Sequence, residues 1–185
     1  PFLLRAFNGA AQAYENIYLL IVGDGPEGEN LEDIVRHMPI ANRVHFTGFV
    51  KYEKIPSYLA ASDIFVTASV TEVHPLSVIE AMGAGLPVLG IDSPGVADTV
   101  VNGKDGFVVP EEDLAAYTAK MVRLATDKNL RKQMSISARK TSELYDYRRT
   151  TQKMLDLYVR AIQGTSGRRR SVRARWIRFW DQWRR

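Results

Sequence analysis

The chain of 185 residues is 45% hydrophobic and 25% charged, which is the composition of an ordinary globular protein with one hydrophobic core. It contains no cysteine, which excludes a disulfide framework and thiolate chemistry and fits a reducing compartment such as the cytoplasm. The net charge of +4 is unevenly distributed along the chain. Residues 165–185 contain eight arginines and one aspartate and carry +7, so the first 164 residues carry −3. No apolar run approaches the ~18 residues of a membrane-spanning helix.

Strands and helices alternate along the first 110 residues. Short apolar runs that end in turn residues predict strands, and longer stretches with apolar residues three or four positions apart predict helices. We expect strands at residues 17–22, 43–47, 63–67, 87–91 and 107–109, and helices at 1–14, 27–37, 54–61, 76–84 and 96–101. This alternation predicts parallel βαβ units, and therefore an α/β fold with a Rossmann-like, doubly wound parallel sheet.

The five predicted strands are one fewer than a dinucleotide-type sheet of order 3-2-1-4-5-6 contains. The helix at residues 1–14 would follow strand 1, which is not among them. Strand 1 is central, so its loss would leave strands 2 and 4 without their shared neighbour. We therefore expect an N-terminally truncated piece of a longer protein, and a rearranged sheet in a short protein is the alternative.

Three further helices are predicted after the last strand, at residues 111–126, 129–143 and 147–162. Residues 164–167, Gly-Thr-Ser-Gly, predict a short flexible linker. The sequence therefore predicts two parts, a Rossmann-like domain at residues 1–163 and a basic, aromatic tail at residues 164–185.

The candidate site is organised around residues 69–95. Pro75 suits the first position of the following helix, where its missing N–H is no loss. That helix, residues 76–84, is apolar nearly all round, which predicts that it is buried. Its two polar residues, Ser77 and Glu80, are three apart and share one face.

This arrangement predicts a ligand with a phosphate, a ribose and a polyol. The free N–H groups and the positive dipole end over the stretch from His74 to Ser77 form a ready anion site, with donors at Leu76 and Ser77, although Pro75 itself has no N–H to offer. Glu80 can accept two hydrogen bonds from a ribose diol, and a polyol would lie beside Glu72 just before the helix. Together these groups describe a nucleotide sugar. The alternative is that Glu80 is salt-bridged and Glu72 is an ordinary surface carboxylate.

Two glycine-containing loops follow predicted strands. Gly23, Asp24 and Gly25 come at the carboxyl end of the first strand, where open α/β sheets bind ligands, although turn formation alone also explains them. Gly48, Phe49 and Val50 begin the loop after the second strand, and the alternative is an ordinary strand exit with Phe49 in the core.

A metal site is not expected. His37 and His45 lack partners at metal-ligand spacing, and the chain has no Asp-x-Asp motif.

The spacing Glu72, seven residues, then E-A-M-G-A-G-L-P-V at residues 80–88 resembles the signature of retaining glycosyltransferases of the GT-B architecture, the glycosyl transferases group 1 type. The motifs V-G-D-G-P, F-T-G-F-V, A-A-S-D-I-F-V and N-G-K-D-G-F-V-V occur in the matching order, so the resemblance covers residues 1 to about 162. One departure is V-H-P-L at residues 73–76, where many relatives carry a Gly-Phe-Gly-Leu-like stretch.

The resemblance implies a C-terminal donor-binding domain that follows an acceptor-binding domain. The donor would be a UDP- or GDP-linked sugar, used as a substrate with no cofactor. A lipid or glycan acceptor would suit the basic, aromatic tail at residues 164–185. Glu72 is the candidate catalytic residue, residues 23–25 would lie near the donor, and the backbone of residues 48–50 would meet the nucleobase. The basic pair that neutralises the diphosphate would come from the missing upstream region, so this piece alone is expected to be inactive.

The tail contains every tryptophan of the chain. On a helix, an arc of about 100° contains Val172, Trp176, Phe179, Trp180 and Trp183, with most arginines outside it, which is typical of an interfacial membrane helix. We therefore expect attachment to an anionic membrane, at the inner face of the cytoplasmic membrane. The candidate membrane residues are Arg168, Arg169, Arg170, Trp176, Phe179, Trp180 and Trp183. A solvated disordered end and nucleic-acid binding are the alternatives, and the segregated aromatic residues argue against nucleic acid as a partner.

Three functions are compatible with these patterns. The first is the donor half of a retaining glycosyltransferase acting at the membrane. The second is a non-catalytic nucleotide-sugar-binding or scaffold module anchored by its tail. The third keeps the fold but makes the protein a nucleotide-sugar epimerase.

Overall fold

The computed structural model describes the backbone of residues 1–182 and the side chains of residues 1–164. The chain divides into two compact units, Pro1–Glu143 and Leu144–Arg185.

The first unit is an α/β structure whose paired strands all run parallel. β1 (Leu19–Ile21) pairs with β2 (Val44–Phe46), and in a second sheet β4 (Val88–Ile91) lies between β3 (Phe65–Val66) and β5 (Gly106–Val109). The helices are α1 (Phe2–Ala13), α2 (Gly28–Arg36), α3 (Ile55–Ala60), α4 (Leu76–Ala84), α5 (Pro94–Thr99), α6 (Leu114–Thr126) and α7 (Lys128–Ser142). The predicted α/β class and the five parallel strands are confirmed, with the first four strands shorter than predicted and β5 one residue longer.

The strands form two sheets rather than one. Within the described residues β1 pairs with β2 and β3 with β4, and no ladder joins β1 to β3. The division falls between β1 and β3, which would be strands 2 and 4 of a dinucleotide-type sheet if α1 followed strand 1, and these are the two strands that strand 1 would separate.

The main core joins both sheets to α1 and α6. Phe7 and Tyr117 are fully buried within it, and the Phe2 ring meets the Tyr117 ring edge-on at 5.3 Å. The single O–H of Tyr117 is shared between the carbonyl oxygens of Thr67 (2.9 Å), directly after β3, and Leu89 (3.1 Å), within β4, so one phenol links these two strands. Burial raises the pKa of Tyr117 well above its ordinary value of 10.0.

Helix α4 has the predicted bounds, but it is buried on one face only. Val78 and Met82 are buried against Val88 and Val96 in a second core cluster, whereas Leu76 is 62% exposed. The prediction of a helix buried all round is wrong, because α3, α5, α7 and β4 contact it and leave the face of Leu76 accessible. Pro75 is the N-cap residue rather than the first helical residue.

The second unit contains α8 (Tyr147–Gln182), a single helix that runs through residues 164–167. The linker predicted there is wrong, because a glycine inside a helix disfavours it by only about 1 kcal/mol relative to alanine and leaves the hydrogen-bond ladder complete. No helix among the described residues has both the length and the apolar character needed to cross a bilayer.

Replacing Tyr117 by phenylalanine should lower the free energy of unfolding by about 1–2 kcal/mol at neutral pH, because the Thr67 and Leu89 carbonyl groups lose a buried donor. Urea denaturation followed by circular dichroism measures this loss. Because the folded pKa is raised, the wild-type chain keeps this stabilisation below pH 10.0 and loses it as the pH rises further. The variant should lack that part of the alkaline decline.

Tyr18→Phe is the matched control, since Tyr18 is 66% exposed and its replacement should change stability by no more than about 0.5 kcal/mol. Equal stabilities of the Tyr117→Phe and Tyr18→Phe chains would show that the buried phenol does not link the strands.

Candidate functional site

The candidate site lies at the carboxyl ends of the parallel strands. In open α/β sheets this is the edge at which ligands bind, because the loops that leave the strands there converge. The loops after β1, β2 and β3 carry all the candidate residues from Gly23 to Pro75, and α4 follows the third of these loops.

The loops after β1 and β2 are joined at two glycines. Gly23 and Gly48 form an antiparallel bridge, and both have positive φ angles, of 123° and 62°. A side chain would strain both positions. The Gly23 N–H also donates to the Thr47 hydroxyl at 3.3 Å. These glycines therefore have a structural role in joining the two loops, whatever ligand the loops hold.

Other predicted residues of these loops are exposed. Phe49 is 79% exposed, so the alternative that placed it in the core is wrong. Gly25 is exposed and would admit a Cβ without contact. Asp24 accepts the Gly25 N–H at 2.8 Å and so stabilises its own turn. Val50 is half-buried at the start of the segment that leads to α3.

The N-terminal end of α4 presents backbone amides at the same edge. The Pro75 carbonyl oxygen accepts hydrogen bonds from Val78 (3.0 Å) and Ile79 (3.1 Å). The side chains of Leu76 and Ser77 are exposed, and their N–H groups precede the first intrahelical donors. No side chain caps this end of the helix. The first turn of α4 therefore combines accessible N–H groups with the positive end of the helix dipole.

The loop that carries Glu72 is held by the start of α5. The Gly95 N–H donates to the Glu72 carbonyl oxygen at 2.9 Å, and the Ser93 hydroxyl donates to Ser69 O at 3.4 Å. A Cβ on Gly95 would lie only 2.4 Å from the Glu72 carbonyl oxygen. The backbone of Glu72 is thus fixed against α5, while its side chain and that of the neighbouring His74 are exposed.

Glu80 accepts a hydrogen bond that the sequence did not predict. The Tyr52 hydroxyl donates to Glu80 Oε1 at 2.6 Å, and no cation pairs with this carboxylate in the part of the chain that the structure describes. Among the residues whose side chains are described, Glu80 is therefore hydrogen-bonded to a tyrosine and has no salt bridge. The hydrogen bond to Glu80 and the carboxylate charge raise the pKa of Tyr52 above its ordinary value.

Tyr52 lies in the 3-10 turn Tyr52–Lys54, two residues after Val50. It was missed because 28 residues separate it from Glu80 and no local periodicity connects them. The only feature of the sequence that could have pointed to Tyr52 is its position directly after the loop of Gly48, Phe49 and Val50.

Comparison with known proteins assigns the family. The sequence pattern described as "Glycosyl transferases group 1" matches residues 2–141, which is most of the chain and includes all candidate residues from Gly23 to Glu80. The chain belongs to the glycosyl transferases group 1 family. The resemblance to the group 1 type, inferred from the Glu72 and Glu80 spacing, is thereby confirmed.

Three characterised or named proteins show the extent of the similarity. The chain is 33% identical to sulfoquinovosyl transferase SQD2 of Arabidopsis thaliana, over 74% of this chain and 26% of that protein. It is 34% identical to the 2-deoxystreptamine N-acetyl-D-glucosaminyltransferase of Streptomyces fradiae, over 80% of this chain and 35% of that protein. It is 31% identical to the GDP-mannose-dependent alpha-(1-6)-phosphatidylinositol monomannoside mannosyltransferase of Mycolicibacterium smegmatis, over 74% of this chain and 38% of that protein.

The fold is shared with a crystal structure of an S. aureus TarM mutant in complex with fondaparinux, alpha-GlcNAc-glycerol and UDP. The TM-score is 0.77 at 19% identity, over 85% of this chain and 31% of that chain. Across the structure and the three relatives, this chain spans only about a quarter to two fifths of the other protein's length.

The predicted membrane residues lie beyond the segment that matches the group 1 family. Arg168, Arg169, Arg170, Trp176, Phe179 and Trp180 fall in the part of α8 whose side chains are not described, and Trp183 lies outside the described residues. Among the side chains that are described, no group of three or more His, Asp or Glu could hold a metal ion.

Replacing Glu80 by glutamine should lower the pKa of Tyr52 toward its ordinary value of 10.0. The neutral amide neither repels the phenolate nor holds the phenol proton as a carboxylate does. Nuclear magnetic resonance of ¹³C-labelled tyrosine rings during a pH titration measures the change. Glu53→Gln is the matched control, because it removes an exposed charge next to Tyr52 and should leave that pKa unchanged. A Tyr52 pKa that does not respond to Glu80→Gln would contradict the hydrogen bond.

Proposed function

We propose that this chain is the donor-binding half of a retaining glycosyltransferase that takes its sugar from a UDP- or GDP-linked donor. The observation that carries the proposal is the first two turns of α4, where accessible amides and the Glu80 carboxylate occur on one helix at the carboxyl edge of the sheet. Membership of the group 1 family supports this choice over a nucleotide-sugar epimerase.

The diphosphate would bind at the amides of Leu76 and Ser77. Both precede the first intrahelical donors, so a phosphate oxygen can accept from them without breaking a helix hydrogen bond. The helix dipole favours negative charge at this end. His74 lies beside the same turn and is exposed, which makes it a further candidate contact.

The ribose would bind to Glu80. An ionised carboxylate has about four acceptor positions, and Tyr52 uses one of them. The two hydroxyl groups of a ribose can therefore donate to the same carboxylate. The nucleobase would lie against the loop of Gly48, Phe49 and Val50, where the exposed Phe49 ring offers an apolar surface, with the loop of Gly23, Asp24 and Gly25 joined to it through the glycine bridge.

Glu72 would contact the transferred sugar. Its side chain is exposed and its backbone is held by Gly95, so the carboxylate is available to accept hydrogen bonds from sugar hydroxyl groups near the reacting carbon. Correct placement of that carbon is needed for transfer, and Glu72 is the residue of this chain that we propose as catalytic. The acceptor would be activated by the preceding domain or by the leaving phosphate, with no cofactor or metal ion required.

An N-terminal acceptor-binding domain would complete the enzyme. The chain spans only 26–38% of the three relatives described above. β1 and β3 share no strand partner among the described residues, and a strand from a preceding segment would pair with both. Fixed positive charge is needed to stabilise the leaving diphosphate, and we propose that this segment supplies it, so this chain alone would be inactive.

We further propose a lipid or glycan acceptor and attachment of the protein to the inner face of the cytoplasmic membrane. One relative is named for a phosphatidylinositol monomannoside acceptor. Within α8, Met154, Tyr158 and Ile162 are four residues apart and each is at least half exposed, so one face of the helix is apolar before the arginine-rich segment begins. An anionic lipid surface would bind both the apolar face of the helix and the positive charge of the arginines.

Calorimetry on the 185-residue chain with UDP and GDP tests the nucleotide site. Glu80→Ala should weaken nucleoside diphosphate binding about tenfold or more, because charge-assisted hydrogen bonds contribute about 1.5–3 kcal/mol. Glu72→Ala should leave nucleoside diphosphate affinity within about twofold and reduce turnover in the complete enzyme. Glu53→Ala controls for loss of an exposed negative charge. Unchanged affinity in Glu80→Ala would contradict the ribose assignment.

The same titration bears on the alternative of a non-catalytic binding module. Nucleotide binding by the chain fits both functions, and the presence of a basic pair in the upstream gene sequence would favour the enzyme. Absence of that pair would favour the binding module.

Sedimentation with liposomes tests the membrane proposal. The chain should sediment with phosphatidylserine-containing vesicles at low salt, because each arginine near an anionic surface contributes about 1 kcal/mol. Binding should weaken as the salt concentration rises. A chain that ends at Gly164 should remain in the supernatant, and vesicles of neutral phosphatidylcholine are the control. Continued sedimentation of the shortened chain would rule out the tail as the attachment site.

A further inference from the structure

Tyr52 connects two parts of the proposed donor site. It follows the loop of Gly48, Phe49 and Val50, and its hydroxyl donates to Glu80 Oε1 in α4 at 2.6 Å. This distance is in the range of short, charge-assisted O–H···O⁻ hydrogen bonds. The segment that would meet the nucleobase is thus tied directly to the carboxylate that would meet the ribose.

We propose that Tyr52 is a positioning residue for ribose recognition, which holds the Glu80 carboxylate in place so that its remaining acceptor positions receive the ribose hydroxyl groups. This inference rests on the proposed function, because it assigns Tyr52 a role at the same nucleotide site. Tyr52 acts through Glu80 and is not itself a catalytic residue.

The argument begins with the flexibility of a glutamate side chain. Glutamate has three rotatable bonds, and fixing a side chain of this kind when a ligand binds reduces the affinity. The hydrogen bond from Tyr52 is made within the chain itself and restrains Glu80 without help from any other molecule. Part of the ordering therefore precedes ligand binding, which is the general way in which preorganisation raises affinity.

The acceptor count allows Tyr52 and a ribose to share the carboxylate. Tyr52 occupies one position on Oε1. About three further positions remain on the two oxygens, and a diol needs two. Release of Tyr52 is therefore not required for binding.

A purely structural role does not account for this contact. Tyr52 is 72% exposed and belongs to neither of the two hydrophobic clusters. Its ring contributes little to the core, and phenylalanine would occupy the same space. The Tyr52→Phe substitution should therefore leave the melting temperature of the chain nearly unchanged.

The experiment measures coupling between the Tyr52 hydroxyl and the ribose hydroxyl groups. Calorimetry on the full 185-residue chain would use UDP, 2′-deoxy-UDP and 2′,3′-dideoxy-UDP, with the corresponding GDP series in parallel. Tyr52→Phe should weaken binding of the ribonucleotide about three- to tenfold. The same substitution should leave binding of the dideoxy analogue unchanged, because that ligand has no hydroxyl group for Glu80 to accept. Tyr18→Phe is the matched control and should change neither affinity.

Each other outcome overturns the assignment. Equal weakening for the ribonucleotide and the dideoxy analogue would place Tyr52 in contact with another part of the ligand. Tighter ribonucleotide binding by Tyr52→Phe would mean that Tyr52 competes with the ribose. Unchanged binding of all three ligands would mean that its hydrogen bond does not matter for recognition.

The Glu80→Ala chain separates failure of this inference from failure of the proposed function. If the wild-type chain prefers the ribonucleotide, and Glu80→Ala removes that preference while Tyr52→Phe does not, only the role of Tyr52 is wrong. If the wild-type chain binds neither UDP nor GDP, or binds them without regard to the ribose hydroxyl groups, the nucleotide assignment of this site fails and the role of Tyr52 with it.

Discussion

The candidate site depends on the packing of one face of α4. Val78 and Met82 are fully buried against β4 and α5, in a cluster that also includes Ala138 of α7. Because this face is fixed in the core, the helix cannot rotate, and the face that carries Leu76 and Glu80 must point away from it. The position of the accessible amides and of the carboxylate is therefore set by apolar contacts that lie outside the site.

Close backbone contacts extend this constraint to the neighbouring loops. Gly95 approaches the Glu72 carbonyl so closely that any side chain at this position would displace the loop before α4. Gly23 and Gly48 join the next two loops in backbone conformations that other residues adopt only with strain. Glycines thus hold three loops in register at one edge of the sheets, and the polar side chains between them gain defined positions.

The proposed site relies on backbone dipoles more than on side-chain charge. The first 164 residues carry a net charge of −3, although the proposed ligand is an anion. A helix N-terminus can bind phosphate in such a chain because its partial positive charge arises from aligned peptide groups. Because the chain's own net charge is negative, cationic side chains from another domain would further stabilise the negative charge of the bound diphosphate.

The sequence by itself determined the α/β class, the five parallel strands, the bounds of α4 and the family, because these follow from local periodicity, turn residues and the spacing of Glu72 and Glu80. Only the tertiary structure decided that α4 is buried on one face and that Tyr52 is the partner of Glu80. Both depend on which elements lie side by side after the chain has folded, and no local pattern connects residues that are 28 positions apart.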